Sequence, residues 1–259
     1  MAIAFRAAAA AEITSSSITI TKPTGTVDDD AMVAQIYIET SNNPPTGLSA
    51  PSGWELKQSG LASTNFWFGV YRKVASGEGA NYQWSWTGSI YATGIIGSWS
   101  GCDTTEPVDT SAFGTSANGN TITYPAVTTS VANTVIVACG ASFAGQSSAP
   151  STFSTANQPA YSGARYYKAN AASGVYSAFT GSCASGRNIG VTVALKEPGG
   201  SGVTGTIAAT VTKVTAALAG TKSYTGTAAA TLQKLTAALS GAMQPSGAAA
   251  ATLQAATAA

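Results

Sequence analysis

The sequence predicts an all-β protein, an antiparallel β-sandwich followed by a repeat region. Three observations carry this. Strand-length apolar runs alternate with Gly, Pro, Asn and Asp turns over the first 198 residues. No amphipathic helix of convincing length interrupts them. After the Gly-rich stretch Glu197-Pro198-Gly199-Gly200-Ser201-Gly202 the composition changes to Ala, Thr and Gly in a repeat.

The strands follow in order. Ser16-Ser17-Ile18-Thr19-Ile20-Thr21 alternates and stops at Pro23. Ala31 to Ile38 is a second apolar run, entered from the acidic turn Asp28-Asp29-Asp30. Asn42 to Gly53, with Pro44, Pro45 and Pro51, reads as loop. Phe66 to Val74 is long and apolar until Arg72-Lys73, where the strand is expected to emerge into solvent. Tyr82 to Thr87 alternates aromatic with polar. Ile90–Trp99, Thr121–Tyr124, Thr134–Cys139, Arg165–Ala169, Val175–Phe179 and Ile189–Leu195 complete the set.

Composition excludes several functions. Charged residues are 9% of the chain, against about 25% in ordinary domains. The net charge of +1, from 12 basic and 11 acidic side chains, leaves no electrostatic footprint for nucleic acid or anionic lipid. Histidine is absent, so Ser-His-Asp and Cys-His catalysis and histidine metal sites are unavailable. No apolar run is long enough for a spanning helix. Met1 to Glu12, with its Ala run, is too weakly hydrophobic for a signal peptide and reads as an arm that packs on a partner.

The second region repeats every 21 residues. Gly205 to Gly220 recurs as Gly226 to Gly241, and a third copy runs from Gly247 to Ala259. The spacing of Ile207, Val211, Val214 and Leu218 fits one stripe of a helix, as does that of Ala228, Leu232, Leu235 and Leu239. It also fits two short strands with a tight turn at Thr212-Lys213, and the Thr content tilts toward β. Either way the stripe is thin. At about 25 cal/mol per Å2 it does not offset the backbone entropy of one unit. Stacking, oligomerisation or a partner is expected to complete it. The chain stops inside the third copy, so either the natural protein continues or another chain completes the unit. The expected division is 1–198 sandwich, 199–204 linker and 205–259 assembly repeats.

Candidate sites are few. Tyr82, Trp84 and Trp86 share a strand face and form either a sugar-stacking platform or core; Gln83, Ser85 and Thr87 opposite make core the better reading. Trp67 and Tyr71 form a similar pair. Asp28, Asp29 and Asp30 are either Ca2+ ligands or an exposed turn, and the turn is preferred. Asp103, Glu106 and Asp109 sit close in sequence, as a glycosidase carboxylate pair requires, but in what reads as a polar connection. Of Cys102, Cys139 and Cys183, Cys139 reads as a buried apolar residue, while a Cys102–Cys183 bridge is an open alternative. No cofactor or metal site, phosphate loop or nucleophile elbow is found.

Several pieces carry a family resemblance. They are Asp30 to Ile38, Ala50-Pro51-Ser52-Gly53-Trp54, Phe68 to Ala75, Tyr82 to Trp86, Ile95 to Asp103, and Ile189 to Lys196. In this order they resemble the jelly-roll-like β-sandwich domain of tailed-bacteriophage structural proteins, over most of residues 28–196. The Ala/Thr/Gly repeats resemble those of phage minor tail and fibre proteins. The resemblance implies a non-enzymatic virion component assembled in the host cytoplasm: a fibre or tail-associated protein, or else a capsid decoration. It implies no catalytic residues. Its expected partners are further copies of itself, with a trimer the expected number, other virion proteins and a host surface glycan. A carbohydrate-binding module of a surface protein is the alternative from another class.

Overall fold

The computed structural model describes residues 2–64, 66–114, 117–148, 150–157, 164–170 and 172–198. These belong to one unit, Met1–Gly199. The repeat positions Ile207, Val211, Val214, Leu218, Leu232, Leu235 and Leu239, and the question of strand or helix there, lie outside the described residues.

The described fold is all-β and sandwich-like, as the sequence predicts. Its strands are β1 (Ala4–Thr21), β2 (Ala31–Ile38), β3 (Glu55–Ala62), β4 (Phe66–Val74), β5 (Asn81–Ser100), β6 (Val108–Phe113), β7 (Ala117–Tyr124) and β8 (Val127–Thr129). β9 (Thr134–Ser142), β10 (Gln146–Ser148), β11 (Ser154–Asn157), β12 (Ala164–Asn170), β13 (Gly174–Tyr176) and β14 (Phe179–Leu195) follow. A five-stranded front sheet has the order β1-β5-β2-β4-β3. A seven-stranded back sheet has the order β10-β14-β9-β12-β11, with β6 and β7 also paired to β14. β8 and β13 form a two-stranded sheet. Every pairing is antiparallel.

The main core lies between the sheets. Val33, Tyr37, Phe66, Phe68 and Trp99 of the front sheet meet Val137, Cys139, Val191 and Val193 of the back sheet. These residues occupy alternate positions of their strands, as a pleated sheet requires.

An antiparallel sandwich commonly leaves its outer faces to water. Here both outer faces are covered too. All eight residues of β2 and all nine of β9 are buried. On the front sheet the cover is the far end of the β1–β5 ribbon. Pairing breaks between Ser15↔Ile90 and Ser17↔Ser85, where β1 contributes only Ser16 but β5 contributes Trp86, Thr87, Gly88 and Ser89. Such an excess on one strand bends a ribbon sharply, and Gly88 adopts φ +91° there. Ile18, Ile20, Tyr82 and Trp84 then join Met32, Ala34, Ile36, Trp67 and Tyr71 in a second core. Trp54 and the half-buried Leu48 and Ala50, from the preceding loop, close it.

The back sheet repeats the device. The β7–β14 register breaks between Ser182↔Thr121 and Gly186↔Gly119. Tyr124 then packs over the cross-strand pair Gly140–Gly190 and stacks on Phe179 with ring centroids 4.9 Å apart. In both sheets a small residue lies under a large one: Gly94 under Ile20, Gly140 and Gly190 under Tyr124.

One expectation about strands is corrected. Val175–Phe179 is not one strand: β13 ends at Tyr176 and β14 begins at Phe179. The arm Met1–Glu12 is largely strand, since β1 runs from Ala4 as the edge of the front sheet.

Candidate functional site

The aromatic row is core. Tyr82, Trp84 and Trp86 are 4%, 0% and 5% exposed. Their strand alternates as the sequence reads, with Gln83 in solvent and its amide donating to Thr19 Oγ1 at 3.3 Å. The apolar side points at the sheet beneath. Trp84 packs 5.3 Å from Trp54 and 5.8 Å from Tyr71, ring centre to ring centre. The Tyr82 hydroxyl donates to Met32 Sδ at 3.4 Å. Trp67 is fully buried and lies over Gly69. A sugar reaches none of these faces without displacing the layer, so the platform reading of this row gives way to packing.

The acidic turn is structural. Asp28 accepts from the Gly77 N–H at 2.8 Å, and Asp29 takes the left-handed conformation at φ +71°. Asp30 is buried, accepts from the Val27 N–H at 2.9 Å and pairs with Arg6 Nε at 2.6 Å. Buried charge is retained only when paired and hydrogen-bonded, and Asp30 meets both conditions. The loop acids are likewise engaged. Asp103 Oδ1 accepts from the Thr105 and Glu106 N–H groups, an Asx-type turn. Asp109 accepts from the backbone N–H and the hydroxyl of Ser130.

Glu106 belongs to a cluster that sequence reading did not assemble. Arg72 on β4 pairs with Glu106 at 2.9 Å and with Glu55 on β3, and Lys57 pairs with Glu55 at 3.1 Å and Glu106 at 3.7 Å. The Lys57 ammonium, followed by the Arg72 guanidinium, outweighs burial and holds the Glu55 carboxyl below its ordinary range. The signal was present in Arg72-Lys73, which breaks an apolar strand; the partners arrive only through register, Glu55 lying opposite Arg72. Lys73 pairs with the buried carboxylate of Glu78 at 2.9 Å and lies over the Tyr82 ring, 5.6 Å from its centre. These alternating charges satisfy one another around the rim of the sheet and leave no unpaired nucleophile or base in the cluster.

All three cysteines are buried and free, so the alternative of a Cys102–Cys183 bridge is corrected. Cys139 is core, as read from its apolar run. Burial, with the charges of Asp30, Glu197 and Asp103, pushes the Cys102 thiol up to about 12. The nucleophilic thiolate is therefore scarce at neutral pH. Among the described residues no group of three or more Cys, Asp or Glu is placed to hold a metal ion. The chain matches no family model, no curated protein and no solved structure.

What the described residues do offer is an edge. β1 terminates the front sheet, and among the described residues no strand pairs with its outer side. Apart from Arg6 and Glu12 its 18 residues are uncharged and include no proline. The edge is interrupted by the bulge at Arg6 and the bend at Ser16 and carries charge at Arg6 and Glu12, all devices that blunt an edge.

Proposed function

We propose that this chain is a non-enzymatic structural protein of a bacteriophage particle, a fibre or tail-associated protein displayed on the virion. One observation carries the reading: an antiparallel sandwich is joined through a Gly-rich linker to a 21-residue Ala/Thr/Gly repeat. By its sequence one unit of that repeat offers too thin an apolar stripe to offset its backbone entropy, which supports completion by neighbours. The sandwich adds support. The carboxylates of Asp28, Asp30, Asp103, Glu106 and Asp109 are engaged in turns and ion pairs, the three thiols are buried, and the Tyr82–Trp86 rings fill a layer between strands. Such a domain works through its surface.

The partners in this reading are further copies of the chain and other virion proteins, and any host glycan would bind a surface other than the Tyr82–Trp86 row. Copy number tests it. Quantitative mass spectrometry of purified particles is expected to find the chain at a fixed stoichiometry of a few tens or fewer. Hundreds of copies would move it to the capsid surface as a decoration, and absence from the particle would overturn the proposal.

A further inference from the structure

We propose that Asn118–Gly119 is a self-modifying site, where the Gly119 amide nitrogen attacks the Asn118 carboxamide and a new carboxylate forms opposite Arg187. This goes beyond the structural role proposed above and does not depend on it. Asn118 is the only asparagine of the chain followed by glycine. A residue with a β-carbon crowds the approach to its own nitrogen, and glycine has none.

The structure leaves this asparagine open. Asn118 is exposed on β7, and its carboxamide holds no hydrogen bond among the described residues. By contrast Asn170 donates its amide to Thr134 Oγ1 at 3.1 Å, and Asn188 donates to the Gly119 carbonyl at 3.1 Å. Gly119 is the last paired residue before the β7–β14 break, which leaves Asn120 without a partner in that ladder. Nothing lies within 4 Å of the place a β-carbon on Gly119 would take, so the peptide has room to turn.

Arg187 is placed to help. It stands directly across the strand pair from Asn118, which puts both side chains on one face with β-carbons about 4.5–5.5 Å apart. Arg187 has no ion pair among the described residues. Attack forms the bond from Gly119 N to Asn118 Cγ and puts negative charge on Oδ1, where a guanidinium stabilises it. The Cγ–Nδ2 bond then breaks, the Gly119 N–H proton passes through solvent to the leaving nitrogen, and ammonia departs. Water opens the resulting succinimide at either carbonyl, to aspartate or isoaspartate. The net exchange is water in and ammonia out, with no oxidation or reduction. An aspartate there faces Arg187 as an opposite-charge pair, and the chain's net charge of +1 is cancelled.

Ageing of the full folded chain in mildly alkaline buffer tests this. Isoelectric focusing is expected to show an acidic band accumulating at the position of Asn118→Asp, and peptide mapping to place the change at residue 118. Asn118→Gln, whose longer side chain closes the ring poorly, should give no such band. Arg187→Met is expected to slow the change severalfold and Arg187→Lys to retain most of the rate, with near-UV circular dichroism unchanged in both. An acidic band that forms only after unfolding in urea, or one that maps to other residues, would overturn the proposal. Equal rates in the parent and Arg187→Met would overturn the part given to the guanidinium.

Discussion

The Ile20 side chain fills the space that a β-carbon on Gly94 would occupy, and the Ile36 side chain stands 3.0 Å from the same point. This contact fastens the end of the β1–β5 ribbon to the sheet beneath it. It predicts that Gly94→Ala costs about 1–3 kcal/mol, the ordinary penalty of overpacking. Gly79→Ala, where nothing lies within 4 Å, should stay within about 0.5 kcal/mol. Urea unfolding of the two variants checks the difference, and equal midpoints would mean that the ribbon does not clamp there.

The second prediction concerns the aromatic layer. Trp84→Ala empties a fully buried site between Trp54 and Tyr71 and should cost about 3–5 kcal/mol. Gln83→Ala, on the solvent side of the same strand, should change stability little. Glycan binding that disappears in Trp84→Ala while the unfolding midpoint stays put would show that the ring faces a ligand after all.

Thiol chemistry supplies the third. The three cysteines are buried, so the folded chain should react slowly with a disulfide reagent at neutral pH and release three thiols once unfolded. A non-reducing mass two hydrogens short would reveal a bridge.

The alkaline limb of stability follows from the same burial. In the unfolded chain Cys102 ionises near its free value of about 8.5, whereas folding raises it to about 12. Desolvation also raises Tyr71, and desolvation aided by Glu78 raises Tyr82. Below the unfolded values both states hold these protons and stability is complete. Above them the unfolded state has lost protons that the folded state keeps, so stability falls as pH rises toward about 12. Cys102→Ala should flatten the first part of that decline. At the acid end the sign reverses for Glu78. Burial opposes its ionisation, but Lys73, the Ser76 N–H and Tyr82 outweigh burial and keep it low. Its contribution is present above the free carboxyl range and is lost as pH falls through the folded value, a loss that Glu78→Gln should abolish.

How much of this could be read from residues alone varied with how local the cause was. The alternation of Tyr82, Trp84 and Trp86 against Gln83 and Ser85 placed both faces of that strand correctly, because a period of two is a local property. The continuous runs Ala31–Ile38 and Thr134–Ser142 are buried throughout, and their composition signals as much. What covers them depends on two ribbons bending back, at residues 86–89 and 182–186, and such bends are set by long-range register. β3, with the sequence Glu-Leu-Lys-Gln-Ser-Gly-Leu-Ala, carries no apolar pattern and becomes a strand because β4 offers it an edge. β6 begins at Val108, at the end of the stretch Cys102–Asp109 that reads as a polar connection, and its remaining residues, Thr110 to Phe113, carry no period-two apolar signal. The structural use of Asp30, Asp103 and Glu106 was half legible: the turns were visible, but the cations Arg6, Arg72 and Lys57 come from distant strands.

Direct imaging of an intact particle tests the proposed role most simply. Antibody raised against the folded sandwich, used to label purified virions from the lysate in which the chain is made, should decorate a defined tail or fibre position. Labelling confined to free protein, with bare particles, would contradict the assignment to the virion.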